Sequence, residues 1–286
     1  TMRNKIKRSA SQTAVFAVAF IILMLFALTY ILAYLWGMMA ACKTHSDLIL
    51  HPFELPQKWM FRNYLDAFVM LEVNDTNMIG MIGNSLWLVL FGALFNVMGS
   101  CLMAYATTKY QFHGRLALIT INLITMIIPI VGALPSQYRT YNALGMLNSP
   151  LILIAYFGGF GSINLYMAAF FKNISWEYAE AAFMDGANHY TVLFRIMLPL
   201  AQGPIVALYV VQAVAIWNDY MTALLFLKDM PTLATGIYLF QATTVHKARM
   251  DILFAATILS SIPVLVLYLA FNKTILTNVS FGGLKA

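Results

Sequence analysis

Charge is what this sequence has least of. Asp, Glu, Lys and Arg together make up 10% of its 286 residues, whereas soluble domains carry about 25%. That shortage excludes an ordinary water-soluble domain. Cysteine is scarce too: Cys42 and Cys101 stand alone, without CxxC or other ligand spacing, so neither a disulfide framework nor a metal site is indicated. His45, His51, His113, His189 and His246 are scattered, with no HExxH pattern, and no GxxxxGK[ST] phosphate loop occurs. No catalytic residue, metal site or bound cofactor is therefore expected on this chain. A membrane-embedded enzyme would need His, acids or a nucleophile clustered at one depth, and none is visible. The net charge of +6 comes without a basic patch interleaved with aromatics in a soluble segment, which argues against nucleic acid as a partner.

What is abundant is hydrophobicity. Apolar residues are 61% of the chain, and runs of about 20 residues, enough to cross a hydrocarbon core of about 30 Å as helices, recur. They lie at about 14–37, 84–106, 116–134, 151–171, 203–227 and 252–271. No alternating pattern of an outer-membrane barrel competes with them. The expectation is an all-α, polytopic membrane protein with six transmembrane helices: a tail over 1–13, then a single transmembrane domain over 14–286. The first run reads as a retained span, because no small-residue cleavage site follows it.

Arg3, Lys5, Lys7 and Arg8 precede the first span, which holds the N-terminus in the cytoplasm. Six crossings then return the C-terminus to the same side. Of the 17 Lys and Arg, ten fall in the inner segments and seven in the outer ones, with Lys228, Lys247 and Arg249 working against the bias. Lys43 to Met81 is too polar to span and reads as an outer connection, as does the stretch from Ser136 to Pro150. Pro129 and Pro135 should kink or end the third span. Gly158, Gly159 and Gly161 in the fourth allow either close helix packing or a flexing point. Pro204 suits the first turn of the fifth.

One hydrophilic stretch, 172–202, separates the fourth and fifth spans on the inner side. Ser175 is placed to cap a short helix, with Glu177 and Glu180 near its positive end. Asp185-Gly186 supplies a turn that glycine tolerates in the left-handed region. Tyr190, Leu193, Phe194 and Met197 follow at helical spacing, and Pro199 closes the segment. Ala179, Ala181 and Ala182 leave the first helix with little bulk, so a partner's surface could approach its backbone; an amphipathic hairpin lying in the membrane interface fits the same periodicity.

At these residues the chain resembles a family. Glu180-Ala181-Ala182, Asp185-Gly186-Ala187 and Ile196-Met197-Leu198-Pro199 look like the three parts of the EAA loop of ABC importer permeases. Beyond the loop the resemblance covers nearly the whole chain and narrows to carbohydrate-type permeases, in particular the smaller membrane subunit of maltose-type importers. It runs through Pro56, Asn63-Tyr64, Asn84-Ser85, Leu144-Gly145-Met146-Leu147 and Trp217-Asn218-Asp219, in the family's order. Ser175 departs from it, standing close to where the family has proline, and the ending Phe281–Ala286 follows it only loosely.

The resemblance implies the type I ABC importer permease fold and a bacterial cytoplasmic membrane, with both termini cytoplasmic. It implies four kinds of partner: a second homologous permease, two ABC ATPases carrying ATP and Mg²⁺, an extracytoplasmic sugar-binding protein, and a carbohydrate, most simply an oligosaccharide. Glu177, Glu180, Ala181, Ala182, Asp185, Gly186, Ala187, Ile196, Leu198 and Pro199 would couple the chain to an ATPase. Pro231, Thr232, Leu233 and Gly236 would belong to an outer loop that reaches the binding protein.

Within the bilayer, Trp217-Asn218-Asp219 is the most informative polar group, because an acid there needs a partner or a water-filled cavity. It fits a substrate path or gate, and it also fits an Asp held by protein neighbours or reaching water at the interface, with Trp217 and Tyr220 in an aromatic belt. Asn84, Asn96, Asn122, Asn164 and Gln212 could line a polar path or bond between helices. The alternative function, an ion-gradient-driven secondary transporter, should show paired intramembrane acids and interrupted helices in two matching halves. Asp219 is the only candidate acid, and the halves do not match.

Overall fold

The computed structural model describes residues 10–128, 132–244 and 249–279. Arg3, Lys5, Lys7, Arg8, Pro129, His246, Lys247 and Phe281–Ala286, each given a reading above, lie outside the described residues. The chain divides into two compact units, Thr1–Ala67 with Thr244–Leu259 and Phe68–Thr243 with Ser260–Ala286.

Helix α1, Ala10–Ala41, opens the first unit. From Val15 to Leu35 its large apolar side chains are all exposed, Leu23 at 66%, so this length needs lipid or another chain against it. Its C-terminal end is packed. Ala40 and Ala41 are buried, and Trp36 meets Phe254 edge-on at 5.2 Å while its Nε1 donates to Pro52 O at 2.8 Å. The following polar stretch is structured: α2 (His45–Leu50) and the beginning of α3 (Arg62–Met70) fold back over the end of α1. Asn63, 1% exposed, ties them together by donating to Ala41 O at 2.9 Å and Lys43 O at 2.8 Å. The buried Lys43 donates to His51 O, and Arg249 grips Asp251 with two nitrogens, at 3.0 and 2.9 Å. That hydrogen-bonded ion pair raises the Arg249 pKa above its ordinary value.

Burial also raises the Cys42 thiol pKa and lifts the neighbouring Tyr64 to about 12. The reactive thiolate of Cys42 is thus depleted at neutral pH, and Cys101 is fully buried. Both cysteines are expected to resist N-ethylmaleimide at pH 7.5 in the folded protein and to react fully in denaturant; rapid labelling of the folded chain, read by mass spectrometry, would contradict this packing.

The second unit begins with a two-residue hairpin, β1 (Glu72–Val73) and β2 (Thr76–Asn77), closed by Asn74 and Asp75 at φ of 48° and 59°. Such positive angles suit the twist of a two-residue turn and the Asn and Asp types found there. It is the one departure from an all-helical chain among the described residues. Asn77 then caps α4, Met78–Lys109, by accepting from Gly80 N–H at 3.0 Å. At 1.5 Å per residue this 32-residue helix is ~48 Å long, longer than the hydrocarbon core, so its ends project beyond it. Helix α4 is the spine of the unit. Its small residues let neighbours come close: a side chain at Gly92 would meet Ile216 at 3.3 Å, and one at Gly99 would meet the Phe157 backbone at 3.4 Å.

The expected third span is shorter than its hydropathy suggests. Helix α5, Arg115–Ile127, has 13 residues, and Ile128 turns extended, as a residue before proline prefers. Helix α6, Ala133–Ala143, occupies much of the expected outer loop. The runs expected to be the fourth and fifth spans are interrupted. A 3₁₀ turn over Pro150–Ile152 and α7, Leu153–Tyr156, are separated from α8, Ser162–Asn173, by a break in which Gly159 and Gly161 have φ of 72° and 116°. Glycine here breaks the helix and brings Gly159 against Gly99 and Met103 of α4, which is the close-packing reading.

Helix α9 (Glu177–Met184), α10 (His189–Val192) and α11 (Leu198–Leu200) make the polar elbow, and α12, Gln202–Trp217, follows at a bend of 72°. Asn218-Asp219-Tyr220 interrupt the run expected to be the fifth span before α13, Met221–Phe226. Helix α14, Leu233–Thr244, and α15, Met250–Val279, complete the described chain.

Six uninterrupted crossings are therefore not what the described residues form. Three helices, α1, α4 and α15, are long and apolar enough to cross a membrane, or four crossings if the pair bent by 72° counts as one. Hydropathy averages over a break of a few residues, which is why the interruptions did not show.

Candidate functional site

The elbow is built from the turn outward. Helix α9 ends at Gly186, whose φ of 81° lets the chain reverse. Ala187 N–H bonds to Ala182 O at 2.9 Å and Gly186 N–H to Phe183 O at 3.0 Å, the paired closure of a Schellman turn. At its start, Ser175 Oγ accepts from Glu177 N–H at 3.3 Å. Asn188 Oδ1 accepts from Thr191 N–H at 2.8 Å and so caps α10. Between α10 and α11, Leu193–Met197 widens into a π turn. Pro199 explains this: it has no N–H for the Arg195 carbonyl, and its ring would crowd that carbonyl in a regular helix.

The two sides of α9 differ. Ala179 is fully buried, and Ala182, Phe183 and Ala187 pack on a core formed with Val97, Cys101 and Tyr105 of α4, Met167 and Phe171 of α8, and Val192 and Met197. Glu177, Glu180, Ala181, Met184, Asp185 and Gly186 face outward. The expectation that Ala179, Ala181 and Ala182 share an open surface is corrected: at about 100° per residue, only Ala181 of the three lies on the outer side. The second half splits too. Met197 is buried, Ile196 and Leu198 are half-buried, and Tyr190, Phe194 and Pro199 are exposed, so its apolar residues do not form one face.

An aromatic brace that the sequence reading missed fixes the elbow to the spine. Tyr110 Oη bonds to His189 Nδ1 at 3.0 Å and to Tyr105 Oη at 3.2 Å, and its ring meets Trp176 edge-on at 5.7 Å. Phe183 packs on both Trp176 and His189. Lys109, at the end of α4, donates to Ile174 O at 2.6 Å. These partners lie some 65 and 79 positions apart in the chain, a separation across which no local pattern signals pairing.

The polar residues expected within spans mostly hold backbone. Asp219 Oδ1 accepts from Met221 N–H at 2.9 Å and Thr222 N–H at 3.1 Å, and Oδ2 accepts from the Thr222 hydroxyl. Its carboxyl oxygens therefore start α13 after the break. Trp217 Nε1 donates to Ser260 O at 3.0 Å, and Asn218 Nδ2 to Val214 O at 2.8 Å. Asn122 Nδ2 donates to Asn164 Oδ1 at 3.0 Å, Asn164 Nδ2 to Ser100 O at 3.2 Å, and Gly161 N–H to Asn122 Oδ1 at 2.6 Å. That buried network pins the break before α8 between α4 and α5.

Pro231, Thr232, Leu233 and Gly236 are buried, Leu233 at 1% exposure. Asn84 Nδ2 donates to Pro231 O at 3.0 Å, and Leu233 N–H to Ser85 Oγ at 2.8 Å. A side chain at Gly236 would overlap Met81 Sδ, at 2.1 Å. The expected projecting loop is at these positions a fixed footing on α4. Among the described residues no group of three or more His, Cys, Asp or Glu is arranged to hold a metal.

Comparison with known proteins carries the assignment further. The chain is 26% identical to the diacetylchitobiose uptake system permease protein NgcG of Streptomyces coelicolor over 93% of its length and 88% of the relative's. It is also 26% identical to the galactooligosaccharides transport system permease protein GanQ of Bacillus subtilis, over 93% of this chain and 94% of that one. In fold it is similar to a chain of a bacterial ABC transporter involved in import of the acidic polysaccharide alginate, with a TM-score of 0.75 and 22% identity over 94% of this chain and 99% of that chain. The family model described as the binding-protein-dependent transport system inner membrane component matches residues 96–279, well over half of the chain. With the elbow, the spine and the interrupted helices in place, the chain belongs to that family of membrane components.

Proposed function

We propose that this chain is a permease subunit of an ATP-driven carbohydrate importer, and that the outer edge of α9 receives the movement of an ABC ATPase. One observation carries the reading: the inner face of the elbow is locked to α4 and α8, while Glu177, Glu180, Ala181, Asp185 and Gly186 stand exposed on the other side. A partner pushing on that edge moves the spine with it, because the brace leaves little between them to deform. Ala182, Ala187, Ile196 and Leu198 act from behind, shaping the edge, and Pro199 sets the π turn. The saccharides named for relatives along nearly the full chain support sugar as the cargo class.

In this reading the polypeptide crosses the bacterial cytoplasmic membrane six times, some crossings interrupted, with both termini and the 172–202 elbow in the cytoplasm. A second permease covers the bare face of α1. Two ATPases bind and hydrolyse ATP with Mg²⁺ below, so this chain has no ATPase activity of its own. An extracytoplasmic binding protein delivers the sugar, with the buried Pro231–Gly236 segment as the footing of its contact loop. Trp217, Asn218 and Asp219 serve the substrate path by holding the α12–α13 break in shape. An importer requires that a partner bind two conformations with different affinity, and nucleotide-dependent ATPase closure supplies that difference.

The experiment is purification of the tagged chain from its own membrane. Co-purification with an ATPase whose hydrolysis is stimulated by a sugar-loaded binding protein is expected; isolation of a fully active, gradient-driven transporter without an ATPase would overturn the proposal.

A further inference from the structure

A pocket that none of the foregoing uses lies between α6, α7 and α13. Gln137 and Tyr141 line it from α6, Ile152 and Tyr156 from the 3₁₀ turn and α7, and Thr222 and Phe226 from α13, around a cavity of about 170 Å³. Drug-sized ligands occupy about 300–1,000 Å³, so this cavity takes one ring of a ligand, not a chain.

Its chemistry is specific. The Tyr156 hydroxyl is buried and makes no hydrogen bond of good geometry, with the Thr222 hydroxyl beside it as its one neighbour of that kind, a state that native interiors rarely leave unexplained. Its position is not slack, because Asn96 Nδ2 holds the Tyr156 carbonyl at 3.1 Å. Thr222 spends its proton on Asp219 and keeps acceptor capacity. The Gln137 amide adds donors and an acceptor. Tyr141 stands edge-on to Phe226 at 4.9 Å, giving the wall an aromatic surface. Among the described residues no Lys or Arg lines the pocket, and Asp219 nearby is committed to the start of α13. The wall therefore offers hydroxyl and amide groups beside aromatic carbon, with no unspent charge.

We infer that this pocket binds one neutral sugar ring of the transported saccharide, so that this subunit contacts the substrate itself, with Tyr156 and Gln137 bonding ring hydroxyls and Tyr141 packing on the ring's C–H face. The inference rests on the carbohydrate reading above and deepens it. It also sets a preference. A uronate ring would bring a carboxylate to a wall without a cation, so neutral saccharides are favoured over acidic ones.

The test uses the whole transporter in proteoliposomes, with labelled maltotriose, diacetylchitobiose, arabinotriose and a guluronate trimer as probes. Wild type is expected to take up at least one neutral probe in preference to the guluronate trimer. For that probe, Tyr156→Phe and Gln137→Leu should each raise the uptake KM by about fivefold, the loss of one neutral hydrogen bond. Tyr268→Phe, at an exposed tyrosine on α15, should not change it. If the wild type imports none of the four, the carbohydrate reading itself falls. If it imports a neutral probe and both pocket variants keep the wild-type KM, the pocket holds only water and this inference alone falls. Preferred uptake of the guluronate trimer overturns the neutral assignment. Should Tyr156→Phe fail to reach the membrane, Gln137→Leu, at a half-exposed position, decides by the same criterion.

Discussion

Gly186→Pro is expected to abolish sugar-stimulated ATP hydrolysis by the assembled transporter while the chain still inserts in the membrane. The native residue sits at φ of 81°, and its N–H closes the turn on Phe183 O at 3.0 Å. Proline fixes φ near −65° and has no N–H, so the turn must open and the exposed edge of α9 must move away from the position set by the core behind it. Space is not the issue, since a side chain at Gly186 would meet nothing within 4 Å. Gly186→Ala therefore isolates the backbone effect: it carries only the left-handed penalty, about 1–2 kcal/mol, and should leave partial activity. Full coupled hydrolysis by the proline variant, at normal abundance, would show that the elbow does not transmit.

The second large effect is expected at Asn164, 4% exposed among three helices. Asn164→Leu removes the acceptor for Asn122 Nδ2 and the donor to Ser100 O, in a region where water cannot replace them. Ser100 Oγ already lacks a partner there. Leaving a buried donor unpaired costs about 1–3 kcal/mol, and hydrogen bonds between membrane helices average about 0.6 kcal/mol. The lower part of the first range applies to one orphaned group, the upper part if Gly161 is released as well. A Tm lower by about 5 °C is expected. Because Asn122 shares the network, Asn122→Leu with Asn164→Leu should cost less than the two single changes added together. Additive losses would mean that the two asparagines act separately.

Much of this architecture was legible without coordinates, for identifiable reasons. Helices α1, α4 and α15 announce themselves because a long apolar run needs no partner to be recognised. The turn at Gly186 was legible because glycine after an alanine-rich, acid-started helix is a local signal. The faces of α9 were not. Ala179 and Ala181 are chemically identical and two positions apart, and only the packing of α4 and α8 separates buried from open. The interruptions at Gly158–Gly161 and Asn218–Tyr220 were hidden in hydropathy averages, although the glycines and Asp219 were noticed. Asp219 drew attention as an intramembrane acid, and its answer is local: it starts the next helix. Asn63, Asn84 and Ser85, singled out by family resemblance, turn out to hold backbone carbonyls and amides. The Tyr110–His189 brace and the pocket at Tyr156 join residues far apart in the chain, so no periodicity could pair them.

The measurement that bears most directly on the account is site-specific crosslinking in the intact complex. Both native cysteines are buried, so a single Glu180→Cys substitution on the exposed edge of α9 provides the only accessible thiol among the described residues. The account predicts a bismaleimide crosslink from that thiol to an ABC ATPase subunit, which stops ATP-driven uptake and is absent when cysteine replaces Ala179 on the buried side. Glu180→Cys that reacts freely with soluble reagents, forms no crosslink to an ATPase and leaves uptake intact would contradict it.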